Sequence, residues 1–290
     1  MPGRVKASRK TVTSFGNLSF LMDCEPVPMT WTHARELVLL GTGTSHGVPV
    51  IGCPCEVCHS TDMRNNRTRS GVAVRCPEGT FLIDTSPELR IQLLRERIDI
   101  AHAVLYTHAH ADHIYGLDDL RLFGYHLEYP VPLYCEESVE RHLRGAFPYA
   151  FEPPGPHLHF GAVPKLEFRR LTLDPFELLG VTVQPLRLLH GRLEVLGFRF
   201  GDVAFCTDVS EIPPETWPLL EGLDVLIIDA LREQAHATHF GIPEALAAIE
   251  RVRPRRAYLT HVSHHLEYST TNAKLPVGVE LAYDGLRLTY

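Results

Sequence analysis

"LYTHAHADHIYG", residues 105–116, places four strong metal ligands, His108, His110, Asp112 and His113, on one short turn. It continues the apolar run "AHAV", so the ligands come directly off what reads as a buried strand. At the histidine content of this chain, 17 in 290 residues, three His and one Asp at these offsets arise by chance roughly once per 10⁵ starting positions. A lone His-x-His carries little. His-x-His-x-Asp-His after a strand carries a metal site, because a rigid strand end can aim several side chains at one point.

The same arrangement recurs elsewhere in the chain. "PLRLLH" ends at His190, "VAFCTD" at Asp208 and "RAYLTH" at His261. Further strands are expected at "ELVLLGTG" (36–43), "SGVAVRC" (70–76), "TFLIDTS" (80–86), "VPLYC" (131–135), "VTVQPLRLLH" (181–190), "VLGFRF" (195–200) and "DVLIIDA" (224–230), with two more near the C-terminus. Helical spacing appears in "PELRIQLLRER" (87–97), where Pro87 suits a first-turn position, and over 136–146 and 243–252. The chain is therefore mixed α/β, with roughly a dozen strands and few helices. "EPPGPHLHFGAVP" (152–164) is a loop by composition.

The bulk numbers narrow the classes. With 44% apolar and 22% charged residues the chain is an ordinary globular sequence. No apolar run approaches the ~18 residues that would suggest a membrane helix. A net charge of −7 gives no global positive field, which disfavours a dedicated nucleic-acid binder but allows a small phosphorylated substrate. Seven cysteines without an evident secretory signal favour metal binding over a disulfide framework, and a cytoplasmic location. Three of them, Cys53, Cys55 and Cys58, form a CxCxxC cluster in "IGCPCEVCHS" that wants a fourth ligand to close a tetrahedral zinc site. Residues 1–35, basic at their start and without periodicity, are expected to be a flexible extension before a single domain over 36–290, with Met29 as an alternative start.

"THAHADH", "LLHG", "CTD" and "LTH", in this order, resemble the metallo-β-lactamase fold of hydrolases. The resemblance implies an α/β four-layer αβ/βα sandwich with a dinuclear site at one edge of its sheets. It implies that His108, His110 and His190 hold one metal, that Asp112, His113 and His261 hold the other, and that Asp208 bridges them. Asp84 in "LIDTS" matches an aspartate that braces the turn; a cap on the helix at Pro87 is the other reading. The ligands are nitrogen and oxygen without thiolate, which suits two divalent ions such as Zn or Mn.

His113, directly after the turn's aspartate, pulls the resemblance toward the phosphodiesterase and glyoxalase branches. It is closest to the phosphoribosyl 1,2-cyclic phosphate phosphodiesterases of bacterial phosphonate breakdown. That family implies one structural zinc on Cys53, Cys55, Cys58 and His264; His59 and His265 are alternative fourth ligands by position, and the family match speaks against His265. It also implies an active-site histidine outside the metal set, His239 in "LREQAHATHFGIPEAL", just before a helix led by Pro243 whose amides favour an anion. His239 would hold the phosphate or protonate the leaving oxygen; His236 either supports it or lies on the surface. Asp112 and Asp208 complete the expected catalytic set.

The glycines of "GTGTSHGVP" fit neither phosphate-loop pattern, so close backbone packing beside the site is their better reading, with His46 at most a polar neighbour. The expected function is a dinuclear-metal phosphodiesterase of small cyclic or ester phosphates, with no membrane partner and a homodimer allowed. The alternatives are a ribonuclease Z-like nucleic-acid phosphodiesterase and a thioester or carboxylic-ester hydrolase of the same fold. Against the first, only 53 positions separate Asp208 from His261, too few for an inserted domain.

Overall fold

The apolar runs of this chain are continuous rather than alternating because both faces of each central strand are buried. The computed structural model describes residues 35–151 and 162–290. Expectations for the extension before residue 35 and for most of the 152–164 loop lie outside the described residues. The first six strands are β1 (Glu36–Gly41), β2 (Gly71–Cys76), β3 (Gly79–Ile83), β4 (Ala103–Leu105), β5 (Val131–Cys135) and β6 (Leu166–Arg170). They form one sheet, joined at the β1 edge by the last strand, β14 (Arg287–Thr289). The second sheet holds β7 (Phe176–Leu178), β8 (Val181–His190), β9 (Leu193–Phe200), β10 (Val203–Cys206), β11 (Val225–Asp229), β12 (Arg256–Thr260) and β13 (Val279–Leu281) in reverse spatial order. Strands β3 to β6 are mutually parallel, as are β10 to β13; the remaining pairs are antiparallel.

Alternate residues of each strand serve different cores. Leu37 and Leu39 of β1, Val203 and Phe205 of β10, and Val225 and Ile227 of β11 meet between the sheets. Val38 and Leu40 turn outward to α1 (Leu89–Glu96) and, through the same core, to α4 (Glu137–Ala146), which buries Val139 and Leu143. Ala204, Cys206, Leu226 and Ile228 turn outward on the other side to α6 (Ile242–Val252), which buries Ala245 and Ala248. The result is helix, sheet, sheet, helix: the expected αβ/βα sandwich. Among the described residues no helix is long and apolar enough to cross a membrane.

The two sheets are stitched together where their strand ends meet. Val262 N–H donates to Thr42 O at 2.8 Å, and Leu196 N–H donates to Thr107 O at 3.0 Å. The buried Asp284 carboxylate accepts from Thr42 N and Oγ1 at 2.9 Å and from Thr68 N at 2.8 Å, clamping the glycine loop from below. That loop packs as its composition suggests: a Cβ on Gly41 would sit 1.9 Å from Arg69 O.

The expected strand over 101–108 is shorter, Ala103–Leu105, because the chain beyond it leaves the sheet to form the ligand turn. Strand β6, with the exposed charged edge "LEFRR", and the one-turn helices carry too little periodicity to be read from sequence. Gly41→Ala is expected to lower stability by about 3 kcal/mol through overpacking. Gly145→Ala, in open space on α4, should raise it by up to about 0.5–1 kcal/mol; urea denaturation of both variants checks the pair.

Candidate metal centre

The ligand turn is held from behind by one carboxylate. Asp84, one residue past β3, accepts the Thr107 backbone N–H and Thr107 Oγ1, each at 2.8 Å, and His113 Nδ1 at 2.7 Å. These bonds fix both ends of the turn whose four-residue helix α2 (Ala111–Ile114) carries Asp112 and His113. No side-chain bond caps α1, whose start is at Leu89, so Asp84 braces the turn rather than capping that helix. Asp84, Asp208 and His261 all have left-handed backbones, with φ of 64°, 56° and 57°. Such angles are uncommon outside glycine and collect where function over-determines the chain.

The strand ends bring the seven residues together. His108, His110 and His190 present ligand atoms within 4.8 Å of one another, as do Asp112, His113 and His261. Asp208 stands between the two sets. Its Oδ2 lies 3.3 Å from His113 Nε2 and its Oδ1 3.4 Å from His261 Nε2, and it also groups with His108. Asp112 Oδ2 lies 3.3 Å from His113 Nε2 and 3.6 Å from His261 Nε2. Of the seven, only His110 is exposed, so the centre opens to solvent on its side.

Several of these imidazoles are arranged to offer Nε2. His113 gives Nδ1 to Asp84, His190 gives Nδ1 to Thr238 O at 2.6 Å, and His108 Nδ1 meets Thr107 Oγ1 at 3.0 Å. Fixing the outer nitrogen in this way orients the inner one toward a metal. Among the described residues, the buried Nε2 atoms of His108, His113 and His261 have no hydrogen-bond partner, a cost that coordination would remove.

The charges interlock. Burial alone would lower the His113 and His261 imidazoles. Instead Asp208, Asp112 and Asp84 hold His113 well above its ordinary value, and Asp208 with Asp112 holds His261 at about 9. Burial would raise the Asp112 and Asp208 carboxyls, yet the same imidazoles keep both well below the usual range. His108 is pushed far down by burial and by His113, and burial also lowers His190. Two buried carboxylates thus demand positive charge, which the imidazoles meet by holding protons and which divalent cations can supply in their place. The donor set fits such ions.

The cysteine cluster forms a second, separate group. Cys53, Cys55 and Cys58 Sγ lie 3.3, 3.4 and 3.6 Å from one atom, His264 Nδ1. Tetrahedral zinc, with bonds of about 2.3 Å to sulfur and 2.0–2.1 Å to nitrogen, has S···N edges of about 3.5 Å. His265 Nδ1 is engaged by Ser263 Oγ at 3.1 Å, which leaves His264 as the histidine that meets the thiols. The Cys58 backbone N–H and His264 hold the Cys55 thiol down at about 6, whereas burial pushes Cys58 up to about 11. Only Val262 and Ser263 separate His261 from His264, so one segment serves both groups.

His239 stands beside the centre, its ring stacked on His261 at 4.8 Å and edge-on to His190 at 4.5 Å. The α6 terminus after it is less open to an anion than its sequence suggests: Gly241 N–H already donates to Glu244 Oε2 and Ile242 N–H to Arg232 O. His236 is exposed, 5.4 Å from the His239 ring, and His46 is exposed. Sequence reasoning missed Asp229, which accepts His239 Nδ1 at 2.7 Å; its only signal is an aspartate closing the apolar run "DVLIID". It also missed Thr107, which acts through its backbone N–H and its hydroxyl, and Thr238, which acts through its backbone carbonyl.

A family profile described as a β-lactamase superfamily domain matches residues 80–262. The chain is 39% identical over 254 residues to an octanoyltransferase of Porphyromonas gingivalis, an alignment covering 86% of this chain and 50% of that protein. It is 37% identical over 101 residues to coenzyme PQQ synthesis protein B of Methylorubrum extorquens, covering 30% of this chain and 33% of that one. The aligned part is thus half or less of the length of these curated relatives. Among solved structures, a diphosphatase from the PhnP family matches with a TM-score of 0.82 and 41% identity, over 88% of this chain and 97% of that one. Zn²⁺-bound PqqB from Methylobacterium extorquens (TM-score 0.70, 19% identity, 88% and 100% covered) shares the fold. So does the short form of human tRNase Z (TM-score 0.63, 19% identity, 88% and 98% covered).

Cys55→Ala is expected to remove one zinc per chain and lower thermal stability, while the metal held by the histidine–aspartate set stays. Elemental analysis of purified protein checks this, and an unchanged zinc count contradicts a Cys₃His site.

Proposed function

The chain belongs to the β-lactamase superfamily, and from that membership we propose that it is a metal-dependent hydrolase of phosphodiester bonds in small phosphorylated substrates. The observation that carries the proposal is the clustering of His108, His110, His190, Asp112, His113, His261 and Asp208 in one place, with His239 against them. Support for phosphorus comes from the 41% identity to a PhnP-family diphosphatase over nearly the whole of both chains. The same similarity favours a second bond type, the phosphoanhydride of a diphosphate, which demands the same machinery.

In this reading His108, His110 and His190 hold one divalent ion, Asp112, His113 and His261 hold another, and Asp208 serves both, with Zn and Mn the fitting metals. Bound there, two such ions supply Lewis acidity to a phosphoryl oxygen and lower the pKa of water from 15.7 toward about 7. The protein's own part is orientation. Asp84 locks the turn, the Thr238 carbonyl locks His190, and His239 offers Nε2 to a phosphoryl or leaving oxygen. Cys53, Cys55, Cys58 and His264 with a third, structural zinc tether the loop after β1 to the segment carrying His261.

Two rivals are weaker. Nucleic acid fits poorly with a net charge of −7. Acyl transfer describes a curated relative of which the aligned part is only half.

Manganese-loaded protein is expected to cleave an activated phosphodiester and leave the matching monoester untouched. Asp208→Ala should lose metal and nearly all turnover. His239→Ala should keep its metals and slow turnover by about 10²–10⁴, the range of acid–base assistance. Metal-loaded protein that spares the diester but opens a carboxylic ester or thioester contradicts the proposal.

A further inference from the structure

Each sheet ends a parallel strand in an aspartate, and the two aspartates make matching contacts. Asp84, after β3, accepts a backbone N–H from Thr107 beyond the adjacent strand β4 at 2.8 Å, and His113 Nδ1 at 2.7 Å. Asp229, closing β11, accepts a backbone N–H from Val209 beyond the adjacent strand β10 at 2.8 Å, and His239 Nδ1 at 2.7 Å. In the first sheet the oriented imidazole belongs to the metal set. In the second the imidazole, His239, groups with His190 and Asp208 but stands outside the seven residues assigned to the two ions.

Packing alone does not account for Asp229. The other residues of β11, Val225 to Ile228, are all buried and apolar, and an apolar side chain would continue that strand without burying a charge. The Asp229 side chain is fully buried, yet both its hydrogen bonds fall on Oδ2, while Oδ1 has no partner among the described residues. A carboxylate kept for stability would have its oxygens satisfied. One that orients a partner needs only the bonds seen here.

His239 needs such a partner. Its ring is packed by His261 and His190, but ring packing leaves two orientations open, since a half-turn about Cβ–Cγ exchanges Nδ1 with Cδ2 and Nε2 with Cε1. The Asp229 bond is what distinguishes them. Through Val209 the same carboxylate also holds the residue after Asp208, and His239 Nδ1 stands 4.0 Å from Asp208 Oδ1.

We propose that Asp229 is the positioning residue of His239: it accepts a hydrogen bond from Nδ1–H, fixes the ring and reserves Nε2 for the substrate. Nε2 makes no hydrogen bond among the described residues, which leaves it available to an incoming oxygen. The substrate half of this inference rests on the phosphodiesterase proposal; the orientation half does not.

The test uses zinc-loaded full-length protein with ¹⁵N-labelled histidine and a long-range ¹H–¹⁵N spectrum, the His239 ring being assigned by its disappearance in His239→Gln. The expected wild-type result is a hydrogen on Nδ1, and in Asp229→Asn its loss or exchange with the other tautomer. A bare Nδ1 in the wild type overturns the inference, whether or not Asp229→Asn folds. For turnover, Asp229→Asn should keep its metals and lose roughly 10²-fold in kcat, at the low end of acid–base assistance. The Asp229→Asn, His239→Gln double variant should be no slower than His239→Gln alone. Losses that multiply in the double variant, or metal lost from Asp229→Asn, overturn the inference and make the residue a structural support. A protonated Nδ1 in a protein that cleaves no diester supports the orientation and removes the phosphodiester reading.

Discussion

Two carboxylates that cannot move apart govern this molecule. Asp112 and Asp208 are both buried and both lie 3.3 Å from the same nitrogen, His113 Nε2. Like charges in a dry pocket repel strongly, so this arrangement persists only if the backbone is fixed and positive charge is present. The fixed backbone comes from strand ends, and the sheet order places those ends at one edge. Left-handed conformations at Asp84, Asp208 and His261 mark where the chain turns sharply to deliver them.

The supporting bonds form a consistent layer. Asp84 spans from β3 to the turn after β4, and Asp229 spans from β11 to the loop after β10. The sheets are joined to each other at the same edge, through Thr42 with Val262 and Thr107 with Leu196. A candidate ligand residue therefore rarely stands alone: the residue beside it is tied to the opposite sheet or to a buried acid. Site precision of the kind hydrolysis needs follows from that tying rather than from the ligands themselves. The cysteine group extends it, since His264 and His261 share one short segment.

Much of this was legible in sequence, for definite reasons. Buried strands betray themselves by continuous apolar runs, and a ligand closing such a run has little freedom in where it points. Hence His108, His190, Asp208 and His261 could be read from their strands, and CxCxxC from its spacing. The braces could not. Asp229 looks like any aspartate at a strand end, and its partner His239 lies in an irregular stretch ten residues on. Thr238 contributes through a backbone carbonyl, which every residue type has, and Thr107 through a backbone N–H and a hydroxyl that nothing in its local sequence marks out. The edge strand β6 was invisible because its polar pattern resembles a loop.

Cations beside those two carboxylates are what the arrangement of the site requires. The most direct test is anomalous diffraction at the zinc edge from zinc-loaded crystals. Three peaks are expected: one among Cys53, Cys55, Cys58 and His264, and two flanking Asp208. A single peak at the cysteines, with none beside Asp208, would contradict that requirement.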